Sequence, residues 1–139
     1  MARLNLKQAK EEALEVLQDS WLSIEHAFSE HVRTRLGWKG DVYVDKEGAA
    51  KRLIDAVFVS PQDQEYDELT GERMYNGMTD GEMIWIERCC EYEQMVGTLI
   101  HEALHDCVFL VRPTRAAQYR NLSGEFEHSV FECLSIEGI

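Results

Sequence analysis

His101 and His105 stand four residues apart in the stretch LIHEALHD, with Glu102 directly after the first. On an α-helix the two histidines differ by about 40° and one turn, so both imidazoles reach one point in space. Glu102 lies about 100° from His101 and about 60° from His105, beside that point without having to bind what is held there. Two imidazoles sharing a point suit a divalent metal, and zinc is the expected cofactor. A carboxylate next to it suits a general base. Zinc brings the pKa of a water toward neutrality, and the carboxylate takes the proton and passes it to a leaving group. The expected roles are metal binding by His101 and His105 and base catalysis by Glu102.

A catalytic zinc generally takes three protein ligands and keeps one position open. The third is expected in NLSGEFEHSVFECL, residues 121–134, where two residues compete. With Phe126, Val130, Cys133 and Leu134 as the apolar face of a helix, Glu127 falls inside the edge of that face. A carboxylate there is costly unless it is paired or bound to metal. His128 falls farther round, where a cleft edge would lie. Histidine is the better zinc ligand by type, and Glu127 would then orient an imidazole from behind. The choice between Glu127 and His128 stays open at this level.

Lesser candidates weigh toward structure. Tyr75 and Tyr119 could steady an oxyanion, and Asp106 could orient a ligand imidazole or face solvent. Cys107 lies on the apolar stripe and reads as core, and Trp38 and Trp85 read as packing. His26 and His31, five apart, point about 140° apart on a helix, a poor spacing for sharing a metal.

The stretch MIWIERCCEYEQMVGTLIHEALHD, a strand leading into the H-E-x-x-H helix, resembles the strand and active-site helix of zincin-fold metallopeptidases. The nearest kinds are SprT-like proteins and the minimal H-E-x-x-H proteins of phages and large viruses. The resemblance covers residues 83–139, and the H-E-x-x-H core is its specific part. It implies a zincin-like α+β fold, peptide or protein substrates and a third ligand from a following helix. SprT-like proteins place a histidine in an H-G-x-x-F stretch before that helix, whereas this chain has SGEF at 123–126. The chain departs from the SprT pattern there.

The elements that must position these residues follow from periodicity. Residues 5–36 are helical, with Leu6, Ala9, Ala13, Val16, Leu17, Ile24, Phe28 and Val32 mostly at i+3 and i+4 steps. They form one helix or two broken near Asp19-Ser20, closed by Gly37. DVYV at 41–44 alternates as a strand and ends in a turn-prone DKEG. RLIDAVFVS at 52–60 reads as a second strand, stopped by Pro61. A polar connection, 62–82, follows as an access-controlling loop, and MIWIE at 83–87 is a third strand. Its place before the active helix marks it as an edge for laying down an extended substrate. Glu91 to Val111 reads as one helix, with Met95, Val96, Leu99, Ile100, Ala103, Leu104, Cys107, Val108 and Val111 as its apolar stripe. Thr98, His101, Glu102 and His105 form its polar face. A final helix is expected from Ser123 to Ile136.

Bulk properties set the outer limits. With 139 residues the chain reads as a single domain, 1–139, large enough for a real core. The formal net charge of -12 makes nucleic acid an improbable partner, because phosphate backbones are repelled unless basic residues cluster. Arg112, Arg115 and Arg120 are the nearest to a cluster and read as a solvated segment. No apolar run is long enough for a membrane span, and the charged N-terminus carries no secretory h-region, so a cytoplasmic location is expected. The four cysteines, Cys89, Cys90, Cys107 and Cys133, contain no C-x-x-C pair and read as reduced, mostly packing thiols. Two functions fit these limits: a zinc metallopeptidase, and a non-catalytic module in which the metal is a structural staple for protein or peptide binding.

Overall fold

The computed structural model describes residues 6–58, 77–80, 82–86, 92–111 and 119–134. The chain opens with two helices, α1 (Leu6–Asp19) and α2 (Trp21–Arg35), separated at Ser20. The break leaves each helix its own buried stripe at helical spacing: Ala9, Ala13 and Leu17 on α1, and Trp21, Ile24, Phe28 and Val32 on α2. Gly37 follows α2 with φ +64, the left-handed turn that glycine adopts without a Cβ clash.

The strand β1 (Asp41–Val44) lies where alternation places it. Beyond it the structure departs from expectation. DKEG is not a turn but the start of α3 (Lys46–Asp55), and Asp45 caps it by accepting the Gly48 N–H at 3.0 Å. The same side-chain chemistry that makes Asp a turn former makes it a helix cap, and the following residues decide between them. Ala49, Arg52 and Leu53 are buried at helical spacing, so among the described residues of the expected second strand only Val57–Phe58 is extended, as β2. Residues 62–76 of the long connection, Tyr75 among them, lie outside the described residues. At its end, β3 (Gly77–Thr79) pairs antiparallel with β4 (Ile84–Ile86), which pairs parallel with β2 on its other side.

The motif helix, α4 (Tyr92–Leu104), is shorter than its periodicity suggests. Asp106, at φ 59, turns the chain out of the helix, and Val108–Val111 continue as β5 instead. β5 pairs with β1 across Asp41↔Val111 to Val44↔Val108, and with β6 (Tyr119–Asn121) on its other side. A β-branched apolar run satisfies a helical stripe and a buried strand equally well, and the partner strand β1 settles it. The last helix, α5 (Gly124–Phe131), is capped by Ser123, whose Oγ accepts the Phe126 N–H, and ends short of the expected Ile136.

The result is a mixed α+β architecture in which the described residues form two three-stranded sheets, β1-β5-β6 and β2-β4-β3, rather than one small sheet. α4 packs against α1, α3, β3 and β4, while α5 packs against α2. Met95, Leu99, Ile100, Ala103 and Leu104 of α4 are fully or almost fully buried in the shared core. Among the described residues no helix is long and apolar enough to cross a membrane.

Candidate metal centre

Two side chains from outside α4 fix its C-terminal end. Arg52 of α3, only 8% exposed, donates from Nη2 to the carbonyl oxygens of Ala103 at 2.7 Å and His105 at 3.0 Å. Those carbonyls belong to the last turn, which has no intrahelical partners and carries the negative end of the helix dipole. A buried guanidinium supplies both the donors and the charge. Glu127 of α5, 2% exposed, answers from the other side. Its Oε2 accepts the backbone N–H of Asp106 at 2.7 Å, and its Oε1 lies 2.9 Å from Nδ1 of His105. The left-handed φ of Asp106 aims that N–H at the carboxylate.

With Nδ1 facing a carboxylate, the neutral His105 ring carries its proton there and leaves the Nε2 lone pair to point away. Nε2 of His105 lies 3.1 Å from Nε2 of His101 and 3.1 Å from Nε2 of His128. The ligand atoms of the three histidines all fall within 4.8 Å of one another. His101, His105 and His128 are therefore close enough to bind one metal ion. The donor set fits zinc: bonds of about 2.0–2.1 Å in a tetrahedron set neighbouring donors about 3.3 Å apart. A single His105 lone pair cannot accept from both neighbours, whereas one cation among the three uses every lone pair.

The structure separates the two residues that the sequence leaves in competition. His128 brings its ring to the histidine pair, and Glu127 stands behind His105 as the group that orients it. Glu127 is buried, as the helical projection indicates, but the face that buries it is completed by Phe131 and not by Cys133, which is exposed beyond the end of α5; its two contacts offset the cost of burying a carboxylate. Asp106 meets Glu127 through its backbone N–H, and its carboxylate acts on His105 only as a nearby charge.

Glu102, half-buried, flanks the histidines. Desolvation raises its pKa above the usual carboxylate range, with a smaller raising effect from Glu127 and an opposing one from His105. For His105, burial works to lower the pKa. The hydrogen bond and charge of Glu127, with Glu102 and Asp106 behind them, outweigh it and raise the imidazole.

The remaining candidates fall elsewhere. His26 pairs with Glu30 at 3.0 Å on the surface of α2, and Nδ1 of His31 contacts the Ala27 carbonyl at 2.8 Å. Cys107 is buried and donates to the Leu104 carbonyl, and burial pushes its thiol pKa up. Cys89 and Cys90 lie outside the described residues. Trp38 donates from Nε1 to the Asp41 carbonyl. Tyr119 lies in β6. MIWIE is not an edge: β4 is the middle strand, flanked by β2 and β3. The edge beside the polar face of α4 is β3, where a Cβ on Gly77 would come within 2.6 Å of the Thr98 methyl. Periodicity did not expose the Arg52 contact. Its signal, a lone Arg among apolar residues in RLIDAVF, is legible only once that segment is a helix.

Comparison of the chain with protein-family models, curated proteins and solved structures gives no match.

Proposed function

We propose that this chain is a zinc-dependent metallopeptidase of zincin-like architecture. The observation that carries the proposal is the meeting of three imidazole Nε2 atoms with a desolvated Glu102 at their side. The order of β4, the H-E-x-x-H helix α4, and α5 with a third histidine supports the same reading. His101, His105 and His128 would hold the ion. When bound, the ion supplies Lewis acidity, which eases deprotonation of water and polarises a substrate carbonyl.

The chain's own residues do the rest. Glu102 accepts a proton from the attacking water on its carboxylate oxygen and delivers it to the leaving amine nitrogen. Desolvation raises its pKa above the usual carboxylate range, the direction that helps a base which must also return the proton. Glu127 keeps the His105 proton on Nδ1 and so keeps Nε2 available. Arg52 holds the end of α4, just where His105 follows it. An extended substrate would lie along β3, the edge strand whose Gly77 meets Thr98 on α4, one turn before His101; a peptide-bound structure with the chain elsewhere would remove that part of the proposal.

The decisive experiment measures zinc content and cleavage of a quenched peptide library by wild type and Glu102→Gln. The wild type is expected to hold one zinc and to cleave. The variant should keep the zinc and lose about 10²–10⁴-fold in rate, the usual worth of a general base. A protein that takes up no transition metal, or a variant that cleaves at the wild-type rate, would overturn the proposal. Stoichiometric zinc without cleavage in the wild type would favour a metal-stapled binding module.

A further inference from the structure

Phe131 lies three residues after His128 on α5, and its ring is a neighbour shared by all three histidines. Its centroid is 4.8 Å from that of His101, 5.2 Å from His105 and 5.9 Å from His128, with interplanar angles of 63°, 70° and 54°. The imidazole centroids are themselves 4.8 to 5.1 Å apart, so the four rings form a compact cluster of near-equal spacings. Phe131 is the buried corner of it, 3% exposed, while His128 is exposed and His101 and His105 are half-buried. Behind it, Phe28 of α2 meets its ring edge-on at 6.0 Å and an interplanar angle of 88°. The three histidines thus have an apolar ring on the side toward the core and solvent on the other.

We infer that Phe131 is a positioning residue of the metal centre, an apolar floor that closes the inner side of the three imidazoles and leaves a bound ion one open position, toward solvent. The inference rests on the metal reading above. Two physical effects support it. Tilted and edge-on contacts restrict rotation of each imidazole about its Cβ–Cγ bond, which orients the three lone pairs together before an ion arrives. An apolar ring offers no donor atom and admits no water, and the shell around a metal controls solvent access in this way. Phe28 backs the ring, so the floor cannot retreat without opening a cavity between α2 and α5.

The test is a cobalt(II) titration of the full chain followed by visible absorption, with wild type, Phe131→Leu and Phe131→Ala compared at a temperature where all three give the same far-ultraviolet circular dichroism. Wild type should give the intense band of four-coordinate cobalt. Phe131→Leu, which keeps an apolar floor, should retain the band with a modest loss of affinity. Phe131→Ala should show a severalfold weaker band, as water enters from the inner side and raises the coordination number, and bind about 10-fold more weakly. A lowered thermal midpoint with an unchanged band and affinity would mean that Phe131 only fills the core, and would overturn the inference. Failure of wild type to bind cobalt at all would instead overturn the metal reading on which it stands.

Discussion

Glu127 makes two contacts with one carboxylate, and each serves a different neighbour. One oxygen holds the His105 ring and the other holds the chain where it leaves α4. Glu127→Gln keeps the shape but removes the charge and substitutes an amide donor on one side. Partners of this kind commonly contribute about 10–100-fold to metal affinity, and a loss in that range is expected from competition with a chromophoric chelator. An unchanged affinity would mean that His105 is oriented by its helix alone. His128→Ala should cost more than Glu127→Gln in the same assay, because it removes a donor atom rather than its support. The reverse order would return the third-ligand role to Glu127.

At the scale of elements, α4 is held at both ends. At its start, the Tyr92 hydroxyl donates to Oε2 of Glu12 on α1 at 2.5 Å. That bond, followed by desolvation and the charges of Glu12 and Glu11, raises the phenol from 10.0 to about 12. A raised folded-state pKa means the contribution is fully present below pH 10.0 and is lost as pH rises toward about 12. Tyr92→Phe should therefore lower the urea midpoint near neutrality, and the gap from wild type should narrow through that window. A gap constant with pH would show that the hydrogen bond does not stabilise the pairing of α1 with α4. At the other end, Arg52→Met should destabilise by about 2 kcal/mol, since it leaves buried carbonyls without a charged donor. A value near zero, measured by urea unfolding, would mean that water replaces the guanidinium.

The molecule as a whole is organised round one core, and the three histidines are not among its buried residues. Buried residues from α1, α2, α3, α4, α5 and both sheets form one cluster, and the histidines lie at its margin. Chelation is therefore expected to leave far-ultraviolet circular dichroism unchanged and to lower the thermal midpoint only by the linkage of binding. That linkage is worth about 3 kcal/mol at a hundredfold excess over the dissociation constant. Unfolding on chelation, as in small zinc-stapled domains, would mark the metal as structural instead. The net charge of -12 adds a separate feature: self-repulsion that salt screens, so the midpoint should rise with ionic strength.

The boundary between what was legible and what was not follows the range of the interactions. His101 and His105 share a face because four residues make about one helical turn, and Gly37 ends a helix because it lacks a Cβ. The buried phase of Glu127 and the exposed phase of His128 are likewise properties of one helix, and they were readable in the apolar residues around them. Each of these is decided within a few residues of chain, so the sequence alone determined them. Other features depend on a neighbour distant in the chain. Val108–Val111 is a strand because β1 offers it hydrogen bonds, and residues 46–55 are a helix because Arg52 and Leu53 have a core to enter. β4 is a central strand because β2 and β3 both reach it. The assignment of His128 to the histidine cluster and Glu127 to its support was also tertiary. Phase says which way a side chain points along its own helix, and only the packing of α5 beside the end of α4 says what it meets.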